Sequence, residues 1–257
     1  MNIADMTIKE IKEWLETCKE LPAEVQALFM ADARSGVQAV YRRWQRNQEK
    51  ARKQQERWLE MSRYERELWK RGYRHIAGVD EVGRGPLAGP VVTAAVILPQ
   101  DFYLPGLNDS KKVSPAQREV MYERIMEGAV AVSIAMSDAP LIDEMNIFQA
   151  TLRAMHEAVR GLQVVPDITL NDAVTIPQLS LEQRPLIGGD GKSISIAAAS
   201  IVAKVERDRL MKEYDRQYPG YGFASNMGYG TAEHLAALRE KGPCPIHRRS
   251  FGGVLQS

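Results

Sequence analysis

Apolar residues along this chain change their spacing near residue 71, from a helical period to a strand period. Thr7–Glu20 carries Ile8, Ile11 and Leu15 at helical intervals, and Thr7 is followed three residues later by Glu10, the pairing of a capping box. Val37, Val40, Tyr41 and Trp44 predict a second apolar stripe. It runs into Gln45–Arg57, a stretch polar on every side, as in helices that meet solvent or a polar partner. After Tyr73 the texture alternates. Runs rich in Val, Ile and Ala predict strands over His75–Val82, Pro90–Leu98, Ala129–Met136 and Asp167–Ala173. Helices are predicted over Ser114–Glu127, Ile142–Gly161, Ser195–Tyr218 and Thr231–Lys241, with Asn108–Val113 a loop. The first of these begins with Ser114 as cap, Pro115 in the first turn and Gln117 closing a capping box. In the long one, Ala197, Ala198, Ala199 and Ala203 form a small-residue face suited to close packing on a sheet. Strands alternating with helices in this way predict an α/β layered domain with a mixed sheet.

Composition sharpens the division. All four tryptophans lie before Arg71, and that segment holds only one Gly and one Pro, Gly36 and Pro22. A length of 257 residues suits one full-sized domain, or one domain plus a small appendage. The formal net charge is only +1, yet Arg42–Arg74 holds twelve Lys or Arg against five Asp or Glu. That local excess of seven leaves the rest of the chain near −6, a basic arm beside an acidic body. Cys18 and Cys244 are far apart and form no metal-binding spacing, so free thiols in a reducing compartment are expected. Met1–Glu20 is charged and amphipathic rather than signal-like, and no apolar run reaches membrane-spanning length. The expectation is a soluble, cytoplasmic protein with no membrane partner.

The sharpest chemical feature is Gly78-Val79-Asp80-Glu81-Val82-Gly83-Arg84-Gly85-Pro86, in which adjacent carboxylates end an apolar strand and enter a glycine-rich turn. Buried carboxylates need a partner, and a divalent cation is one. Neighbouring strand side chains point to opposite faces, so Asp80 and Glu81 share one site only if the strand end bends, which Gly83 and Gly85 permit. Asp172 closes another predicted strand, and Asp190 lies in a Gly-rich turn just before the long helix. Four carboxylates with no His or Cys beside them make an oxygen-only set, suited to Mg²⁺ or Mn²⁺ rather than Zn²⁺. Such clusters serve phosphodiester hydrolysis. Ser195, Ser200 and Lys204 lack the Asp-His partner and the elbow of a serine hydrolase. Gly220–Gly230 lacks the Lys-Ser/Thr of a phosphate-binding loop. His75, His156, His234 and His247 are scattered along the chain.

The run from Asp80 to Val91 resembles the signature of the ribonuclease HII family. Further matching blocks follow in order: Asn108-Asp109-Ser110-Lys111-Lys112, Asp172, Ser195 to Asp208, and Gly228-Tyr229-Gly230-Thr231. The resemblance covers roughly Tyr73–Phe251. It implies a ribonuclease H-like fold, a mixed five-stranded sheet flanked by helices. It implies that Asp80, Glu81, Asp172 and Asp190 are the catalytic acids and bind two cations, Mn²⁺ or Mg²⁺. It further implies that the Gly83-Arg84-Gly85 turn contacts a ribose 2′-hydroxyl, that Tyr229 senses the junction to DNA, and that Asn146 lies near the substrate. Arg84, Lys111 and Lys112 would neutralise phosphates. The sequence departs from the family pattern at Asn171 (usually apolar), Ala173 (commonly Gly) and Gly188, where a Lys is frequent.

The activity implied is an endoribonuclease that hydrolyses the RNA strand of RNA/DNA hybrids and cuts 5′ of ribonucleotides embedded in duplex DNA, leaving 5′-phosphate and 3′-hydroxyl ends. The domain expectation is a helical, substrate-binding extension over 1–70, a catalytic domain over 71–218 and a C-terminal helical region over 219–257 that completes the cleft. A monomer is expected. Two other readings compete: a junction resolvase on the same fold, which would cut DNA lacking ribose, and a nucleic-acid-binding module without catalysis.

Overall fold

The computed structural model describes residues 3–255. The chain divides into two compact units, one ending at Leu59 and one beginning at Glu60.

The first unit is helical. A single 3₁₀ turn at Ile3–Asp5 precedes α1 (Ile8–Thr17), α2 (Ala23–Ala31) and the start of α3 (Ser35–Met61). The capping box forms: Thr7 N donates to Glu10 Oε2 at 2.8 Å, and Glu10 N donates to Thr7 Oγ1 at 3.2 Å. Ile11, Leu15, Phe29, Val37 and Tyr41 supply a small core, with the Phe29 and Tyr41 rings stacked at 4.8 Å. α2, with apolar residues scattered round its circumference, was not separated in the sequence; it buries only Phe29. α3 absorbs the predicted stripe and the polar stretch into one helix of 27 residues. Glu49 pairs with Arg52 and Lys53, whereas Arg42, Arg43, Arg46 and Lys50 are exposed and form no ion pair among the described residues.

The second unit opens with α4 (Arg63–Lys70) and is built on a five-stranded sheet. Its strands are β1 (Ile76–Val82), β2 (Val91–Ile97), β3 (Ala131–Ser137), β4 (Ile168–Asp172) and β5 (Glu182–Leu186), in the spatial order β3-β2-β1-β4-β5. β1 runs antiparallel to β2, and β2 to β3, while β1/β4 and β4/β5 are parallel, a mixed sheet as expected. The helices are α5 (Pro115–Gly128), α6 (Ala139–Met145), α7 (Ile147–Arg160), α8 (Ile194–Gln217), α9 (Phe223–Asn226) and α10 (Ala232–Lys241). Alternation along β1 sorts its side chains. Ala77 and Val79 join Met155, Ala158 and Val159 of α7 on one face. Ile76 joins Ile168, Leu170 and Ile196 of α8 on the other, where Leu68 of α4 also packs. α8 lies flush on β1 because Gly78 has no side chain; a Cβ there would overlap the Ser195 backbone.

Three differences from the sequence-based expectation have physical causes. The helix predicted over Ile142–Gly161 is two helices, broken at Asn146, whose φ of 69° ends α6 and whose Oδ1 then accepts from Phe148 N and Gln149 N to cap α7. β5 was missed because Glu182-Gln183-Arg184-Pro185-Leu186 is an edge strand without apolar alternation. The predicted loop Asn108–Val113 contains a 3₁₀ turn at Ser110–Lys112. The departures at 171 and 173 are also accommodated. Asn171 is buried and donates to Gln183 Oε1 at 3.0 Å, while Ala173 adopts φ 58°, a left-handed conformation that explains why glycine suits this position.

Candidate active site

Asp80 lies on the α8 face of β1, and Asp172 ends the adjacent parallel strand β4 on the same face, one step beyond the paired residues Val79 and Asn171. Asp80 is 5% exposed; its Oδ1 accepts from Glu81 N at 2.8 Å, and Ser200 of α8 lies near enough to its carboxylate to favour the charged form. Burial, and then the neighbouring charges of Glu81 and Asp172, push its carboxyl well above the ordinary range. Glu81 has the opposite parity, yet it stands at the strand's end, where its carboxylate pairs with Arg84 at 3.3 Å. Burial raises its pKa, Arg84 and Lys111 oppose the rise, and Asp172 adds to it.

Asp190 is carried by a 3₁₀ turn, Gly189–Gly191, between β5 and α8. Burial raises its pKa, followed by the charges of Asp109 and Asp172. The turn is held on both sides. Gly189 N donates to Asp172 Oδ1 at 2.7 Å, and Gly189 O accepts from Ser193 N at 2.8 Å. Ser193 Oγ in turn donates to Glu65 Oε1 at 2.5 Å, and Ser195 N donates to the same oxygen at 3.0 Å. Glu65 is fully buried, and its pKa is raised by that burial. The loop bearing Lys111 docks on α8 through a hydrogen bond from Ser200 Oγ to Ser110 Oγ at 3.0 Å.

The four predicted acids therefore come to one end of the sheet, where Asp80, Glu81 and Asp190 are each raised in part by the charge of Asp172 and Lys111 opposes the rise of Glu81 and Asp190. Lys112 instead pairs with Asp109 at 3.6 Å. Among the described residues, no three Asp, Glu, His or Cys side chains stand close enough together to hold a metal ion as they are placed. The donor set nonetheless fits hard divalent cations: every group is a carboxylate, and a buried one such as Asp80 is stabilised by a nearby positive charge.

A second group of predicted residues gathers beside the acids. Gly83 (φ 92°) is buried while Arg84 and Gly85 are exposed. The exposed ring of Tyr229 lies alongside, with its Cε1 3.7 Å from where a Cβ of Gly85 would stand. Asn146 is not among the groups that bond or shift the acids; the structure uses it as a helix cap.

Sequence reasoning missed the residues behind this surface. Arg207 and Arg248 are fully buried, and neither has a carboxylate partner among the described residues. Arg207 donates to the carbonyls of Pro90, Met227 and Ala88, at 3.0, 2.9 and 3.1 Å. Burial lowers its pKa to about 10. A Cβ at Gly83 would collide with its Nε, so this glycine is also a packing requirement. His234 Nδ1 lies 2.9 Å from Tyr229 O, His234 Nε2 lies 2.9 Å from His247 Nε2, and Cys244 N donates to His247 Nδ1 at 2.9 Å. Only one pair of neutral tautomers satisfies all three contacts, each imidazole donating toward Tyr229. Burial lowers the pKa of both, that of His247 to about 4. Arg207 lies inside the block Ser195 to Asp208, but scattered histidines and a late arginine gave no local signal. Asp109, the fifth acid felt at the site, lies inside another of the matching blocks, where nothing marked it out.

A mixed five-stranded sheet flanked by helices, with carboxylates gathered at one end, defines an α/β nuclease of the ribonuclease H type. A family model described as Ribonuclease HII matches residues 77–254, and one described as Ribonuclease HII N-terminal domain matches residues 7–69. The chain belongs to the ribonuclease HII family. It is 52% identical over 254 residues to a ribonuclease HII of Enterococcus faecalis, covering 98% of each chain. It is 50% identical over 248 residues to one of Bacillus cytotoxicus, covering 96% of this chain and 95% of that one. Among solved structures, the ribonuclease H2 of Pyrococcus horikoshii matches with a TM-score of 0.60 at 25% identity, over 70% of this chain and 95% of that one. The protein is thus an endoribonuclease of a family that depends on divalent metal ions and acts on RNA/DNA hybrids. Among the described residues, no helix is long and apolar enough to cross a membrane.

Proposed function

We propose that the protein cleaves the phosphodiester on the 5′ side of a ribonucleotide, in RNA/DNA hybrids and at single ribonucleotides in duplex DNA, with Asp80, Glu81, Asp172 and Asp190 holding two Mg²⁺ or Mn²⁺ ions. The observation that carries this reading is the convergence of the four acids at one sheet end, each raised carboxyl feeling at least one of the others. When bound, the cations supply activation of the attacking water and stabilisation of the departing oxygen. Water oxygen bonds to phosphorus while the bond to the 3′-oxygen of the preceding nucleotide breaks. The ribonucleotide keeps the 5′-phosphate, and the departing oxygen takes a proton to become a 3′-hydroxyl.

The chain's own residues bind and orient. The turn Gly83-Arg84-Gly85 presents the exposed backbone of Arg84 and Gly85 to the ribose 2′-hydroxyl, the mark that separates RNA from DNA. Tyr229, exposed beside Gly85, stacks at the junction to DNA. Arg84, Lys111 and Lys112 meet phosphates, and Asn146 borders the substrate through the α6–α7 break. The stripe Arg42, Arg43, Arg46 and Lys50 on α3 gives the N-terminal unit cations for the duplex backbone.

The test is cleavage of a DNA duplex carrying one ribonucleotide, with Mg²⁺, with Mn²⁺ and with chelator. A single cut 5′ of the ribonucleotide only with metal is expected. Cutting of an all-DNA branched duplex would point to a resolvase instead, and binding without cutting under all conditions would point to a recognition module.

A further inference from the structure

Arg248 is a buried cation whose hydrogen bonds go to backbone rather than to an acid. Its Nε and Nη2 donate to Gly89 O at 3.0 and 2.8 Å, its Nη1 to Arg84 O at 2.8 Å, and its Nη2 also to Gly83 O at 2.5 Å. The Phe251 ring lies 5.0 Å from the guanidinium carbon and covers the fork. Burial, reinforced by Arg207, lowers its pKa to about 9, so the side chain stays charged at neutral pH.

Peptide geometry converts these bonds into a direction. A trans peptide is planar, and its C=O and N–H point opposite ways. The Gly83 carbonyl shares its peptide with Arg84 N–H, and the Arg84 carbonyl shares its peptide with Gly85 N–H. No cis peptide occurs among the described residues. One guanidinium draws both carbonyls inward, so both N–H groups turn outward, where Arg84 and Gly85 are exposed. Neither N–H meets an acceptor among the described residues. A charged donor on each carbonyl also polarises its peptide and strengthens the N–H on the far side.

We infer that Arg248 is the positioning residue for ribose recognition: its planar fork aims the amides of Arg84 and Gly85 at the 2′-oxygen and so sets the preference for a ribonucleotide. This rests on the reading that the Gly83–Gly85 turn meets the 2′-hydroxyl. Lysine could keep the charge, but its point-like ammonium does not reproduce the planar fork that serves three carbonyls.

The test uses binding in the D80N background, to remove cleavage, with Mg²⁺ present. Affinity is measured for a duplex with one ribonucleotide and for the same duplex in all-DNA form. The D80N protein should prefer the ribonucleotide duplex, and adding R248K should shrink that preference at least about 10-fold while all-DNA affinity stays the same. Equal loss on both duplexes would make Arg248 merely structural, and an unchanged ratio would remove it from recognition; either overturns the inference. Absence of any preference in D80N itself would instead strike the underlying reading of the turn. Should R248K fail to fold, amide hydrogen exchange on D80N decides. Arg84 and Gly85 amides should exchange fast in the free protein and slow with the ribonucleotide duplex but not with the DNA duplex. Protection in the free protein, or none in the complex, overturns the assignment.

Discussion

Asp172 accepts a 2.7 Å hydrogen bond from the amide of Gly189, which ties the acid ending β4 to the turn that carries Asp190. A backbone donor rather than a charged side chain orients this carboxylate. The turn is held from behind by Ser193 and the buried Glu65, so α4 takes part in placing the acids although it precedes β1 in the chain. The candidate site is therefore fixed by α4 and the start of α8, which pack on the same face of the sheet.

Replacing Asp80 by Asn should lower cleavage more than about 100-fold while hybrid binding persists. Full activity of D80N with Mg²⁺ would remove Asp80 as a ligand. The same variant reports on charge. The folded pKa of Asp80 is raised, so the stability it confers is present below the ordinary carboxyl value and lost as pH rises through the folded value. Without divalent ions, D80N should therefore melt above the wild type at pH 8, the difference shrinking toward pH 4. Thermal melts in chelator at the two pH values check the sign.

Tyr229→Ala should slow cleavage at an RNA–DNA junction more than it weakens binding. Loss of one aromatic stack is worth about 1–3 kcal/mol. Equal junction rates in the two proteins would leave Tyr229 a packing residue.

Removal of residues 1–59 should weaken duplex binding and flatten its salt dependence. Every phosphate that the shortened protein no longer neutralises lowers the slope of log affinity against log salt by about 0.9. Arg42, Arg43, Arg46 and Lys50 are the cations at stake, and titrations at several salt concentrations would show it. A chain starting at Arg71 makes a different experiment, because it also loses Glu65 and the buried Leu68. Leu68 alone should then cost about 2–5 kcal/mol of stability. An unchanged slope in the longer chain would free the N-terminal unit from a role in duplex binding.

Ala173→Gly should stabilise the protein by about 1 kcal/mol, because alanine at φ 58° is strained where glycine is not. A denaturant midpoint that stays put or falls would show that the strain is absorbed elsewhere.

Much of this was legible because it is local. The Thr7–Glu10 capping box, the β1 strand ending in carboxylates and the small-residue face of α8 each follow from spacing within a few residues. What stayed hidden depends on contacts across the fold. Glu65 reads as one more acid in a charged helix until Ser193 and Ser195 fall on it. Arg248 reads as one of two adjacent arginines until the Gly83–Gly89 carbonyls close round it. Asn146 was legible as a polar residue of interest, but its left-handed backbone, which divides α6 from α7, was not. The strand β5 escaped because an edge strand does not need the alternation that reveals a buried one.

That same edge strand bears on how copies of the chain meet. Its charged residues Glu182 and Arg184 and its Pro185, which lacks an amide donor, give an incoming strand from another molecule an interrupted and polar rim to zip onto. Growth of the sheet halts at β5, where an added strand would meet charged side chains and a missing donor.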